Sequence, residues 1–374
     1  MTDAVPFADF RYRVPLSDVE RELNRQMKAL HSTDGRPLQR ARMSNLIIYC
    51  TGLEQSIDIN DQVPAISYAH PARVILLVAE ADTERDLTAR VTVRPLLSGK
   101  KSYACVEMVT LHAGGSNIDR LPFAVRSLLI GDLPVNLWWE APVPPPLAGP
   151  LLDDLSEYAQ QIIYDSVGWR EPPRSVSATA TWLEQIERPG GRWRVASDLN
   201  WRRLKYWRRI LAQALAEESA PGAAASVREI TITHGPHAVI QGWLLGSWLS
   251  RLLGWRAGSG RVTPGVEMAW HFLTSQGDDA HVHIRRADAG PPLVCDVRLR
   301  CALDGKPVTI VATADEPQRL SVQMEGIDAA PRTISVQSQT PVDLIARQLS
   351  DRKRDPVFRE SMVVAQIMAQ SVLG

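Results

Sequence analysis

The sequence predicts an α/β fold: an N-terminal domain built on a mostly parallel sheet with an antiparallel hairpin, residues 1–173, followed by an α+β C-terminal domain with an antiparallel sheet, residues 174–374. Three observations lead there. As far as Tyr164, short apolar runs alternate with helix-period segments, the pattern of βα units on a buried sheet. Beyond Trp255 the period changes to strand alternation, punctuated by turn residues at Gly277, Gly290, Asp304-Gly305 and Gly326. The chain of 374 residues is also long for one domain, and Glu171-Pro172-Pro173-Arg174 is a plausible boundary.

The elements follow in order. Leu16 precedes Ser17-Asp18-Val19-Glu20, which has capping-box spacing, so a helix should run from Asp18 to Leu30, with a loop over residues 31–37. Asn45–Cys50 and Arg73–Ala79 are apolar throughout and suit buried strands, with a helix end over Val63–His70 between them. Ala89–Pro95 and Ala104–Leu111 alternate across a polar Ser-Gly-Lys-Lys-Ser turn, which is a hairpin signal. Then come a helix over Asn117–Ile130, a strand over Val135–Trp139, a helix over Leu147–Gln160 and a strand over Ile162–Tyr164. Trp138 and Trp139 are strand neighbours, so they must face opposite sides of the sheet. Ser177–Glu187 begins a helix-rich stretch that passes through Gly190-Gly191. The later strands are Val266–Leu273, His281–Arg285, Leu293–Leu303, Val308–Ala312 and Leu320–Met324, with closing helices near Val342–Leu349 and Pro356–Val372.

Ser197–Trp255 holds five of the eleven tryptophans. Asp198 is an N-cap candidate for a helix over Leu199–Glu218, whose apolar stripe is Leu199, Leu204, Trp207, Leu211 and Leu215. Its other face carries Arg202, Arg203, Lys205, Arg208 and Arg209, and Arg188 to Arg209 contains eight basic residues against Asp198 alone. Such a face is either simply solvated or, with Trp201 nearby, a docking surface for an acidic protein or a phosphorylated ligand. The partner helix, about His237–Trp255, is apolar nearly all round; Gly242, Gly246 and Ser247 permit close backbone approach, and Gly254 is a C-cap candidate. It is too short and too interrupted to span a bilayer.

Composition and motifs exclude several functions. The 42 basic and 42 acidic residues cancel, which argues against a general nucleic-acid binder. The polar start of the chain has no signal-peptide pattern, and four cysteines are too few for a disulfide scaffold, so a cytoplasmic location is expected. No GxGxxG follows a strand and no GxxxxGK(S/T) occurs, so the usual phosphate cradles are missing and no cofactor is expected. Neither GxSxG nor HExxH is present. His281 and His283 share a strand face with Asp279 and His271 within reach, and His234 and His237 bracket a Gly-Pro turn; both groups read better as ordinary histidines than as metal ligands. Because ligands of open α/β sheets sit at the carboxyl ends of strands, Glu140, Asp165 and Ser166 form a candidate pocket, unless Asp165 and Ser166 only bond the loop backbone. Cys295 and Cys301 alternate with polar residues on one strand, roughly 20 Å apart if extended, whereas a disulfide needs Cα atoms within about 7 Å.

The strings SDLNWRRLKYWRRIL and GWLLGSWLSRLLGW resemble those of the glucose-6-phosphate dehydrogenase assembly protein family, OpcA. RARMSNLIIYC from Arg40, HPARVILL from His70, LPVNLWWE from Leu133 and IIYDS from Ile162 extend the resemblance over roughly residues 40–256. The resemblance implies a non-catalytic partner of glucose-6-phosphate dehydrogenase that acts on its assembly or allosteric state in the oxidative pentose phosphate pathway, with no membrane or nucleic-acid partner. It also implies thioredoxin-linked redox control in photosynthetic members, which favours pairing of Cys295 with Cys301 where the alternation favours core packing. On the residues alone, the contact with the dehydrogenase falls on Trp201, Arg202, Arg203, Lys205, Arg208 and Arg209. The alternative is a sugar-phosphate-binding or modifying enzyme using Glu140 and Asp165.

Overall fold

The computed structural model describes residues 13–34, 38–39, 42–98, 102–188, 193–316 and 318–373. The chain's first ten residues, Arg40, the hairpin turn at 99–101 and Gly190-Gly191 therefore lie outside the described residues.

The first sheet contains β1 (Leu38–Gln39), β2 (Ser44–Thr51), β3 (Ala72–Glu80), β4 (Arg85–Ser98), β5 (Ser102–Gly114), β6 (Val135–Glu140), β7 (Gln161–Tyr164) and β8 (Val195–Asp198). The order β5-β3-β2-β6-β7-β8 is parallel throughout, with β4 antiparallel along β5 and β1 parallel to the start of β5. Numbered among themselves these six parallel strands run 3-2-1-4-5-6, the doubly wound order of dinucleotide-binding sheets. The mostly parallel sheet and its antiparallel hairpin are as the sequence predicts. β8 was not predicted, because its four residues read as the lead-in to a helix cap. It also places the end of the first sheet beyond residue 173.

The helices are α1 (Val19–Asp34), α2 (Leu53–Ala69), α3 (Leu121–Leu128), α4 (Pro150–Ser156), α5 (Pro172–Ile186), α6 (Leu199–Arg203), α7 (Lys205–Ala214), α8 (Ala223–Ser226), α9 (Val239–Leu252), α10 (Pro341–Ser350) and α11 (Pro356–Leu373). α2 is longer than the predicted helix end, since its run of Asp58, Asn60, Asp61 and Gln62 hides the apolar period. The first sheet is buried on both faces. Leu46, Ile48, Trp138 and Ile163 meet Ile59, Val63 and Ile66 of α2 and Leu344, Ile345 and Leu349 of α10. Ile47, Tyr49, Leu137 and Trp139 belong to the core on the other face, where Tyr49 stacks on Trp139 with centroids 4.0 Å apart. Trp138 and Trp139 thus face opposite ways.

The second sheet is β9 (Glu229–His234), β10 (Arg256–Thr263), β11 (Glu267–Leu273), β12 (Asp279–Arg286), β13 (Val294–Leu303), β14 (Lys306–Glu316), β15 (Arg319–Glu325) and β16 (Arg332–Ser335), in the order β10-β11-β12-β9-β13-β14-β15-β16. It is antiparallel except where β12 meets β9. β10 and β16 were not predicted; β10 is rich in glycine and polar residues and has almost no apolar alternation. α9 lies against β12 closely enough that a Cβ on Gly242 would meet Ile284 Cγ2 at 3.0 Å and one on Gly246 would meet Val282 Cγ1 at 3.2 Å. α11 packs against α5, α9 and β10, so the C-terminal helix closes the core of the second sheet.

At the amino edge of the first sheet, Arg73 of β3 and Glu107 of β5 are register partners and both are buried. Arg73 pairs with Glu20 and donates to Glu107 and to the Leu128 carbonyl, while Arg42 donates to both oxygens of Glu107. Removing one member of a buried ion network strands the others away from water. Glu107→Gln is therefore expected to lower unfolding stability by roughly 3–5 kcal/mol in a urea titration; a loss under about 1 kcal/mol would show that the network is dispensable.

Candidate functional site

The doubly wound order places its switch point between β2 and β6, where the strands on either side run to opposite halves of the sheet and a crevice normally opens. Along that edge Glu140 ends β6, Asp165 follows β7 and Asp198 ends β8. The turn out of β2 is Cys50-Thr51-Gly52-Leu53-Glu54, with a single glycine at φ +87° as the N-cap of α2. Gln55 Oε1 accepts from the Thr51 amide at 2.9 Å, and the Gly52 amide donates to the Ala79 carbonyl at 2.9 Å. Two amides of the turn are thereby committed within the chain. Glu54 adds a negative charge in the first turn of α2, where a phosphate would otherwise gain from the helix dipole.

The predicted pocket residues lie along one edge of the sheet, but each is already bonded to a neighbouring group of the chain. Asp165 accepts both arms of Arg203, at 2.8 and 2.7 Å, and also the Val167 amide at 3.1 Å. Ser166 donates its hydroxyl to Asp198 Oδ2 at 2.6 Å and its amide to Oδ1 at 3.2 Å. Asp198 caps α6 through the Asn200 amide at 2.8 Å, and Asn200 Nδ2 donates back to Ser166 Oγ at 3.1 Å. Glu140 accepts from Trp138 Nε1 at 2.8 Å. Burial, with the nearby Asp165 charge second, pushes Glu140 up to about 7 and Asp198 up to about 7. Burial and the Glu140 charge push the Cys50 thiol, beside Glu140 in register, up to about 12.

The predicted basic face is not an outer face. The single helix is broken at Leu204, whose amide bonds back to the Trp201 carbonyl, and Arg203 turns inward to Asp165. Trp201 is buried; its Nε1 donates to Asp355 Oδ2 at 2.8 Å, its ring lies 5.3 Å from Phe358, and the Arg208 guanidinium stacks 3.5 Å above it. Burial lowers Arg208 to about 10. Arg202 donates to Gln348 Oε1 at 2.6 Å and to Asp351 Oδ2 at 2.9 Å. Lys205 and Arg209 are the two of the six side chains left exposed. The five basic positions between 202 and 209 read as a solvated stripe because the acids that meet Arg203 and Arg202 lie about 40 residues upstream and 150 downstream, at Asp165 and Asp351.

All four cysteines are free. Cys301 is buried, but a bulge between Val294 and Asp296 puts Val294 into the core in place of Cys295, which is half-exposed; the two do not share the apolar face as the alternation predicted. Burial raises both thiols. His271 bonds Asp279 at 2.7 Å and His283 bonds Glu267 at 3.1 Å, and among the described residues no group of three or more side chains is placed to hold a metal. His234 is buried with Nδ1 on the Gly235 carbonyl at 2.7 Å. His237, at φ +67°, accepts from the Gly168 amide at 3.1 Å.

Sequence reasoning missed Glu80. It ends β3, the strand whose terminal acid holds a ribose in dinucleotide-binding sheets, but here it is bound by His112 Nε2 at 2.6 Å and Arg85 Nε at 2.8 Å. Without the strand order, nothing marks that position.

Family models described as the glucose-6-phosphate dehydrogenase subunit N-terminal and C-terminal domains match residues 63–181 and 194–362. A protein of Nostoc punctiforme, provisionally named as the OxPP cycle protein OpcA, is 28% identical over 193 residues, which cover 51% of this chain and 40% of that one. One of the same name from Synechococcus elongatus is 24% identical over 315 residues, 81% of this chain and 68% of that one. The match to the first thus spans less than half of that relative's length. Among solved structures, a mutant 3-ketoreductase from Actinomadura kijaniata in complex with TDP-benzene and NADP has a TM-score of 0.50 at 11% identity, covering 88% of this chain and 97% of that one; the likeness is one of fold.

The raised carboxyl groups give a signed pH dependence. Glu140 and Asp198 hold their protons in the folded chain up to about 7, above their ordinary values of 4.5 and 3.8. Their contribution is fully present below the unfolded values and is lost as pH rises through the folded ones, on the order of 3 kcal/mol each. Unfolding stability is expected to fall from about pH 4 to about pH 7, and Glu140→Gln should flatten that fall. A Glu140→Gln protein whose pH profile matches the parent would contradict the assignment.

Proposed function

Because the chain belongs to the glucose-6-phosphate dehydrogenase assembly protein family, OpcA, we propose that it is a non-catalytic partner of glucose-6-phosphate dehydrogenase that favours the enzyme's active state in the oxidative pentose phosphate pathway. One observation carries the reading: the switch point of a doubly wound sheet is filled with the chain's own bonds. Thr51 is taken by Gln55, Asp165 by Arg203, Asp198 by Ser166, and Glu80 by Arg85 and His112. A hydride-transfer or sugar-phosphate enzyme needs those groups free for its ligand.

A partner protein activates only by binding the active arrangement of the enzyme more tightly than the inactive one, and substrate then tightens the complex by the same factor. In a glucose-6-phosphate saturation curve of the dehydrogenase from the same organism, adding this protein is expected to lower the half-saturating concentration about fivefold or more, the usual scale of a coupling free energy, with the two proteins co-eluting on size exclusion. An unchanged curve without co-elution would overturn the reading.

A further inference from the structure

We propose that the surface around Trp193 is the docking site for an acidic segment of a partner protein; the inference rests on the reading that this chain acts by binding another protein. Ten of the eleven tryptophans are no more than 6% exposed, and Trp193 is 57% exposed. Its ring is held in place by the Arg354 guanidinium, 4.4 Å from the centroid. A large flat apolar surface fixed in position loses little entropy when a partner covers it.

The charges around it are lopsided. Arg194 follows Trp193 directly and Arg188 closes the described stretch before it, while Arg352, Lys353 and Arg354 form the turn between α10 and α11, with Arg359 in the first turn of α11. Glu187 ties the two segments together, accepting from the Ala196 amide and lying 3.9 Å from Arg354 and 3.3 Å from Arg359. The neighbouring acids are largely committed: Asp351 to Arg202 and Asp355 to Trp201 Nε1, leaving Glu184 exposed on α5. A chain with zero net charge thus sets Arg354 against its one exposed tryptophan, joins Arg359 to it through Glu187, and exposes Arg188 and Lys353 on the same two segments of chain. Carboxylates beside an apolar side chain complement this surface, and guanidinium forks bind carboxylates bidentately. The zero net charge of the whole chain favours a protein partner over nucleic acid.

The test is a binding titration with the dehydrogenase from the same organism and with deca-glutamate, using the full chain, Arg188→Glu/Lys353→Glu, Trp193→Ala and, as the comparison, Lys205→Glu/Arg209→Glu. The inference expects at least tenfold weaker dehydrogenase binding for the first two variants, added salt sensitivity in the parent, and a change under about twofold for the comparison pair. Unchanged affinity in Arg188→Glu/Lys353→Glu, or a larger loss in the comparison pair, overturns it. If the parent does not bind the dehydrogenase, the functional reading fails, and deca-glutamate then decides the surface. Salt-sensitive binding lost in Arg188→Glu/Lys353→Glu supports the docking site; no binding, or preferential binding of single-stranded DNA of equal length, overturns it.

Discussion

The bidentate pair between Arg203 and Asp165 lets three acidic strand ends share one water-poor edge of the first sheet. Glu140 and Asp198 both feel the Asp165 charge, and a lone guanidinium neutralises it. The same inward turn of Arg203 accompanies the break in the helix at Leu204, so α6 and α7 are separate pieces. α6 then offers Trp201 and Arg202 to the C-terminal segment, where Asp355, Gln348 and Asp351 receive them. Gln348 also donates to Ser197 Oγ, and Gln161 donates to the Gln348 carbonyl, which ties α10 to the ends of β7 and β8. The most basic stretch of the chain is thus mainly a clasp that returns residues 340–359 to the first sheet. Lys205 and Arg209 are the members of that stretch that stay exposed.

Much of the fold was legible because burial leaves a period. The apolar strands β2 and β3, the β4–β5 hairpin, the opposed Trp138 and Trp139 and the all-apolar α9 follow from residue spacing alone. What the spacing concealed is what depends on distant residues. β8 is four residues long and is defined by pairing to β7, and β10 carries mostly polar and glycine residues because it is a sheet edge partnered by α11. The candidate site was legible as a place, the strand ends at Glu140, Asp165 and Ser166, but not as a state. That Asp165 and Ser166 are already bonded depends on Arg203 and Asp198, which are 32 or more residues away along the chain. Cys295 was misplaced for a local reason: one extra residue in a strand reverses every face before it.

A doubly wound sheet gives a ligand three offerings at its switch point: free turn amides, a helix dipole and an acid at the neighbouring strand end. In this chain each is in part committed to the chain's own groups. Gln55 and Ala79 take turn amides, Glu54 sits in the first turn of α2, and Glu80 is held by Arg85 and His112. Opening the site would require breaking several short bonds among buried or half-buried groups, each exchange costing about 1–3 kcal/mol in unsatisfied polarity. The strand ends are thus tied up within a chain whose family is named for glucose-6-phosphate dehydrogenase.

The central claim is that the strand-end cluster is closed, and a thermal-unfolding titration of the full chain with NADP, NADPH and glucose-6-phosphate tests it most directly. A ligand at a hundred times its dissociation constant adds about 2.7 kcal/mol to folding stability. The account expects no stabilisation by any of the three at millimolar concentration. A saturable stabilisation abolished by Asp165→Asn or Glu80→Gln would contradict it and make the switch point a working binding site.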